Sequence, residues 1–163
     1  MPELAEVELA RRQWAAFHGE KIISIDTHPK ARIYRDCPAP ALRILDGKKL
    51  LSSKAHGKRM LFSFAPALHL EVHLGMSGKL SVDAPAHSVA KHDHLILRTK
   101  KAALIFNDYR MFGRIMLHDL SDPWTHLPPQ PQDSKFSVAY LRKKLERHPK
   151  KPLKGLLLDQ AIC

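Results

Sequence analysis

Leu4, Val7, Ala10, Trp14 and Phe17 recur at three- and four-residue spacing, with Arg11 on the same face, until Gly19 interrupts the pattern. That period predicts an N-terminal helix. Pro2 suits its entry, because a missing N–H costs nothing in the first turn. From Lys21 the period falls to two, with Ile23 and Ile25 between polar neighbours, and residues 38–45 (PAPALRIL) read as a short helix closed by Asp46-Gly47. Strand-like runs follow at 49–55, 59–64, 67–73, 79–82, 94–98, 102–107 and 114–117. Turn signals separate them: Ala65-Pro66, Gly75 to Gly78 and Lys100-Lys101. Many short strands at this spacing predict a sandwich or barrel. Residues 122–134 then hold Pro123, Pro128, Pro129 and Pro131, a linker signature. After it Val138, Leu141 and Leu145 return to helical spacing, and a last helical pattern starts at Lys154 with no capping signal before Cys163. The expected class is α+β: an N-terminal helix on a β-sandwich of short antiparallel strands (1–121), a linker (122–134) and the start of a helical domain (135–163), which reads as cut short.

Composition narrows the function. The 163 residues include 27 Lys and Arg against 16 Asp and Glu, a net charge of +11, with 11 histidines besides. A hydrophobic share of 44% is enough for a real core and excludes global disorder. No apolar run reaches about 18 residues, which excludes a membrane-spanning helix; the greasiest stretch, 60–74, is broken by Ser63, Pro66, His69, Glu71 and His73. The opening MPELAEVE is acidic where a secretory signal is basic and then apolar, so the chain is expected in the cytosol. Cys37 and Cys163 are too few for a disulfide scaffold, and no CxxC offers a structural zinc. The positive charge points to a polyanion, nucleic acid first. Residues 142–154 carry seven Lys or Arg against Glu146, although such a run also serves as a plain solvated face.

Five short segments can carry chemistry, and ordinary readings stand beside them. A helix starting at Glu3 puts that residue on the apolar stripe with Val7, Ala10 and Trp14, where a carboxyl is kept protonated and suits a general acid; alternatively Glu3 and Glu6 complement the helix dipole. Pro2, once Met1 is removed, is a secondary amine able to attack an aldehyde-like carbon. His56-Gly57-Lys58-Arg59 places a lysine at a turn, to meet a phosphate, to donate a proton, or to end a strand in solvent. Met76 stands between Gly75 and Gly78, apt for a wedge between bases, though core filling is the commoner use of methionine. His92 and His94 share a strand face, but no third ligand at fixed spacing supports a metal, and none is expected. Residues 108–114 combine Arg110 and Arg114 with Phe112 in a loop, cations for phosphate and a ring for stacking.

Taken in order, MPELAEVE, HGKRMLF, HLGMSGKL, KHDH, NDYRMFGR and KGLLLDQ resemble the bacterial formamidopyrimidine-DNA glycosylase and endonuclease VIII family over nearly the whole chain, the formamidopyrimidine branch in particular. The resemblance implies a DNA-repair glycosylase that excises oxidised purines and cleaves abasic sites. In that reading Pro2 is the nucleophile that displaces the base and forms a Schiff base with the opened sugar. Glu3 protonates the sugar ring oxygen, Glu6 supports the site, and Lys58 supplies the proton for β-elimination. Met76, Arg110 and Phe112 fill the gap left by the flipped nucleotide, while His92 and a lysine of Lys150 or Lys154 hold phosphates. The implied partner is double-stranded DNA with a damaged base or abasic site, met by a monomer without membrane contact in the bacterial cytoplasm, at the nucleoid. Ala5 stands where the family usually has a second proline, and Met111 where a basic residue is common. The family's remaining helical element and zinc finger are not in this chain, so no cofactor is expected and the fragment alone is expected to be impaired. A retained Met1 acylates the Pro2 nitrogen and removes the nucleophile. The alternative is a non-catalytic DNA-binding module with the same fold.

Overall fold

The N-terminal helix forms where the apolar spacing puts it, but it begins one residue later than a stripe through Glu3 requires. The structure, a computed structural model, describes residues 2–28, 31–34, 37–157, 159 and 162. Helix α1 spans Leu4–Ala15; Glu3 is its extended N-cap, and Pro2 lies outside the first turn. Glu3 N–H donates to Glu6 Oε2 at 2.8 Å, so a first-turn carboxylate satisfies a donor that the helix leaves open. Val7 and Trp14 are the buried face of α1, and Gly19 (φ +89°) turns the chain away from it.

Eight strands follow among the described residues: β1 (Ser24–Thr27), β2 (Ser52–His56), β3 (Arg59–Ala65), β4 (Leu68–His73), β5 (Lys79–Asp83), β6 (Asp93–Arg98), β7 (Ala103–Asn107) and β8 (Arg114–His118). They pair as two antiparallel sheets, in the orders β1-β6-β7-β5 and β2-β3-β4-β8. Residues 39–45 form a 3-10 helix rather than an α-helix, and Arg32–Tyr34 a second short one. The period of two sorts each strand into an inner and an outer row. Leu95, Leu97, Leu104 and Phe106 of the first sheet face Met60, Phe62, Leu70, Val72 and Ile115 of the second in a single core. Trp14 bridges both: its ring lies 5.0 Å from that of Phe62 on β3, and its indole N–H donates to Ser81 C=O on β5 at 3.2 Å.

The outer rows differ. On the first sheet Ile96, Ala103 and Ile105 are also buried. Arg98 draws loop 84–92 back along that sheet, donating to Pro85 C=O and His87 C=O while its Nε holds Asp26. On the second sheet the outer row mixes Leu61 and Met116 with polar residues, and Glu71, 1% exposed between them, is held by Arg59 at 2.8 Å and His118 at 2.9 Å. A buried carboxylate needs such partners to stay charged.

The chain divides into two compact units, Met1–Asp122 and Pro123–Cys163. The second holds α2 (Val138–Arg147), capped by Ser137 Oγ accepting from Tyr140 N–H, and α3 (Leu153–Leu157). Tyr140 O–H donates to Ile162 C=O at 2.7 Å, and Lys151 pairs with Asp159. The last helical pattern thus starts at Leu153; its expected continuation falls partly on Leu158, Gln160, Ala161 and Cys163, which lie outside the described residues, as does Met1. Among the described residues no helix is long and apolar enough to cross a membrane.

Candidate nucleic-acid interface and catalytic site

Strand register gathers the chemistry at one end of the sandwich. Arg59, His73 and Arg114 stand opposite one another across β3, β4 and β8. The β2–β3 turn with Lys58, the loop leaving β4 and the loop entering β8 therefore emerge together. The β4 loop (74–78) leads into β5 at Lys79, and the β8 loop (108–113) comes from β7 at Asn107. Lys79, Asn107 and Asp93 pair across the other sheet, so His92, just before β6, belongs to the same end.

The N-terminus reaches this end through an ion pair. Lys58 Nζ lies 3.2 Å from Glu3 Oε1, with the lysine side chain 16% exposed and that of Glu3 68% exposed. Glu3 is thus not pressed against apolar surface, contrary to the expectation from the stripe: as N-cap it points out of the helix face that Val7 and Trp14 bury. Its chemistry comes from company instead, an ammonium beside it and the half-buried Pro2 before it. Glu6 is exposed and fixes the Glu3 backbone through the 2.8 Å bond. With Met1 removed, the Pro2 amine would join the Glu3 carboxyl and the Lys58 ammonium as the group types that form and resolve an iminium.

The two loops present an exposed apolar and cationic tip. Met76 is 50% and Phe112 47% exposed, and the Arg110 guanidinium stacks 4.8 Å above the Phe112 ring. The loops meet backbone to backbone. A Cβ on Gly75 (φ +65°) would lie 2.4 Å from the Phe112 carbonyl carbon, so only glycine permits the contact. Asp108, fully buried, ties them together: its carboxylate accepts from Ser77 O–H, from Arg110 N–H at 3.2 Å and from Gly113 N–H at 2.7 Å.

His73 accepts the Gly75 N–H on Nδ1 at 3.0 Å, leaving its proton on Nε2. Burial, then the cations Arg59 and Arg114, hold it below the usual histidine range, so it stays neutral among positive charges. Neither His73 nor the cation row, nor the link from Ser77 to Asp108, was singled out from the sequence. The one local signal was Asp108 itself, since an Asp that bonds the amide two residues on is a loop former.

The remaining sequence-level residues separate. His92 is half-buried, its ring 6.5 Å from that of His94. His94 is buried and donates from Nε2 to the Asp108 carbonyl at 2.9 Å, which makes it a support for the loop. No group of three metal-ligating side chains occurs among the described residues. Lys150 and Lys154 are exposed in the second unit. Cys37 is buried and free.

Comparison with known proteins agrees with this arrangement. The family model described as the formamidopyrimidine-DNA glycosylase N-terminal domain matches residues 1–115. The chain is 36% identical to the formamidopyrimidine-DNA glycosylase of Lactobacillus johnsonii and 38% identical to that of Hahella chejuensis, covering 99% of itself in both. It spans 60% and 61% of the length of those relatives. Among solved structures it is similar to the Lactococcus lactis formamidopyrimidine-DNA glycosylase non-covalently bound to AP-site-containing DNA, with a TM-score of 0.84 at 30% identity, covering 99% of this chain and 64% of that one. The helix, the two antiparallel sheets and the sequence motifs thus meet in one place: this chain belongs to the formamidopyrimidine-DNA glycosylase family and corresponds to its N-terminal part.

Proposed function

We propose that the loop end of the sandwich binds duplex DNA carrying a damaged base or an abasic site, and that the chain carries the catalytic half of an oxidised-purine glycosylase and abasic-site lyase. One observation carries this reading. Pro2, Glu3, Lys58, Met76, His92, Arg110 and Phe112, drawn from five separate segments, converge on a single end of the first unit. The Pro2 nitrogen, freed of Met1, bonds to the sugar C1′ as the base leaves. Glu3 delivers the proton that lets the ring oxygen go, which leaves an iminium. Transfer of a C2′ proton to water then breaks the C3′–O bond, and Lys58 gives its proton to the departing 3′ phosphate. Glu6 keeps the Glu3 backbone in place. Met76, Arg110 and Phe112 fill the space of the extruded nucleotide, and His92, Lys150 and Lys154 neutralise phosphates. We further read the chain as a cytoplasmic monomer without metal, with a linker at 122–134, and as less active than a protein of its relatives' full length.

The second reading is a DNA-binding module without catalysis. It is favoured by the exposure of Glu3, whose side chain stays 68% exposed rather than pressed against apolar surface as a protonated general acid would be. Borohydride trapping on abasic-site DNA separates the two. A Met1-free chain, verified by intact mass, is expected to give a covalent adduct, and a chain with a blocked N-terminus none. Adduct formation undiminished by the block overturns Pro2 as nucleophile, and binding without any adduct supports the module. Pro2→Gly keeps an amine and is the weaker variant.

A further inference from the structure

We infer that Asp108 is a positioning residue that locks the Met76 loop and the Arg110–Phe112 loop into one body, so that the wedge enters DNA as a unit. The inference rests on the reading of these loops as a DNA wedge. Six hydrogen bonds converge on this one buried residue. Its Oδ1 accepts from Ser77 O–H and Arg110 N–H, and its Oδ2 from Gly113 N–H. Its N–H donates to His92 C=O at 3.1 Å, and its C=O accepts from Met111 N–H at 3.1 Å and from His94 Nε2–H at 2.9 Å. Three segments that are far apart in sequence, 74–78, 92–94 and 108–113, are thereby joined. The close backbone contact of Gly75 with Phe112, and that of Gly113 with the His73 carbonyl, 3.0 Å from a Cβ built there, leave the loops little room to move separately.

The physical need is clear. Wedging apart a base step gives up stacking, and mobile loops would add their own ordering entropy at the same moment. A charge satisfied by three donors inside the protein removes that second cost in advance. Carboxylate chemistry is specific here. An asparagine has one acceptor oxygen where Asp108 uses two, so it would turn an NH2 toward one of the same donors.

Ser77→Ala is the direct test, because it deletes only the Oγ that joins the loops; Ser77→Thr restores a hydroxyl. In the free protein, amide exchange at Arg110 and Gly113 is expected to accelerate about tenfold or more in Ser77→Ala, the scale of one hydrogen bond to a charged group, and to return toward the original rate in Ser77→Thr. With DNA, a 2-aminopurine opposite an abasic site reports insertion. Met76→Ala and Phe112→Ala are expected to be non-additive in the unmodified protein and additive once Ser77 is alanine. Unchanged exchange together with unchanged insertion in Ser77→Ala overturns the coupling alone. A protein that gives no insertion signal even with Ser77 intact overturns the wedge reading itself, and with it the use assigned to Asp108.

Discussion

Glu3 keeps two-thirds of its side chain in water and one carboxylate oxygen 3.2 Å from Lys58 Nζ. Its neighbours, not burial, decide what it can do. Glu3→Gln keeps the size and an oxygen for Lys58, but has no acidic proton to give. If Glu3 is the general acid, base excision is expected to fall by about 10²–10⁴-fold, the usual worth of such a group. Strand cleavage at a preformed abasic site is expected to persist, since that sugar already opens without help. Assays of both steps on the same preparation decide it: equal losses would reduce Glu3 to a helix cap. Lys58 illustrates the complementary point. At 16% exposure its stem is packed and its ammonium is aimed, which a solvated strand end would not require.

At the scale of elements, loop 84–92 shows how charge holds a segment that has no regular structure. Both ring nitrogens of His87 meet carboxylates, Asp83 at 2.7 Å and Asp93 at 2.8 Å, which requires both to carry protons. The Asp93 bond first, then that of Asp83, raise the imidazole above its ordinary 6.5. A raised value means that the clasp is fully present below about pH 6.5, the ordinary histidine value, and is lost as pH climbs through the folded one. Asp83 and Asp93, Arg98 on the His87 carbonyl, and Asn107 on Asp93 are the groups around it. NMR titration is expected to give His87 a midpoint above 6.5, with loop amides losing protection, relative to the intrinsic base-catalysed rate, as pH rises through that midpoint. His87→Ala should abolish that loss of protection, and a midpoint below 6.5 would refute the clasp. The strands of the second sheet were legible, because residues 59–64 and 114–117 are short apolar runs set off by turn signals, and β3 and β8 extend those runs by a single residue. Partnership was not legible. Lys58 meets Glu3 across 55 positions and Ser77 meets Asp108 across 31, and no local pattern encodes such pairs. The motifs named residues that the fold brings to one end of the first unit but not the side chains that brace them, because those braces are common residue types chosen by register.

For the whole molecule the division at residues 122 and 123 matters most. The second unit carries eight of the 27 Lys and Arg but only three of the 16 acidic residues. The first unit holds Pro2, Glu3, Lys58 and the loops 74–78 and 108–113, with a core that α1 and both sheets share. A chain ending at Asp122 is therefore expected to retain the sandwich and to bind DNA with a shallower salt dependence. Each lost phosphate contact flattens the slope of log K against log salt by about 0.9. Lys154→Ala and Arg110→Ala should each remove roughly one such step, whereas Met76→Ala should weaken binding at every salt concentration without changing the slope. An unchanged slope on deleting the second unit would show that its positive charge faces solvent only.

The placement of Trp14 has a practical consequence. The protein has two tryptophans, and the units hold one each, Trp14 in the first and Trp124 in the second. Trp14 is shut from solvent, touching Phe62 on one sheet and bonding Ser81 on the other. Its emission colour consequently reads out whether the two sheets are closed on each other. With Trp124 replaced by phenylalanine, one optical channel follows the first unit alone, free of any tryptophan signal from the second.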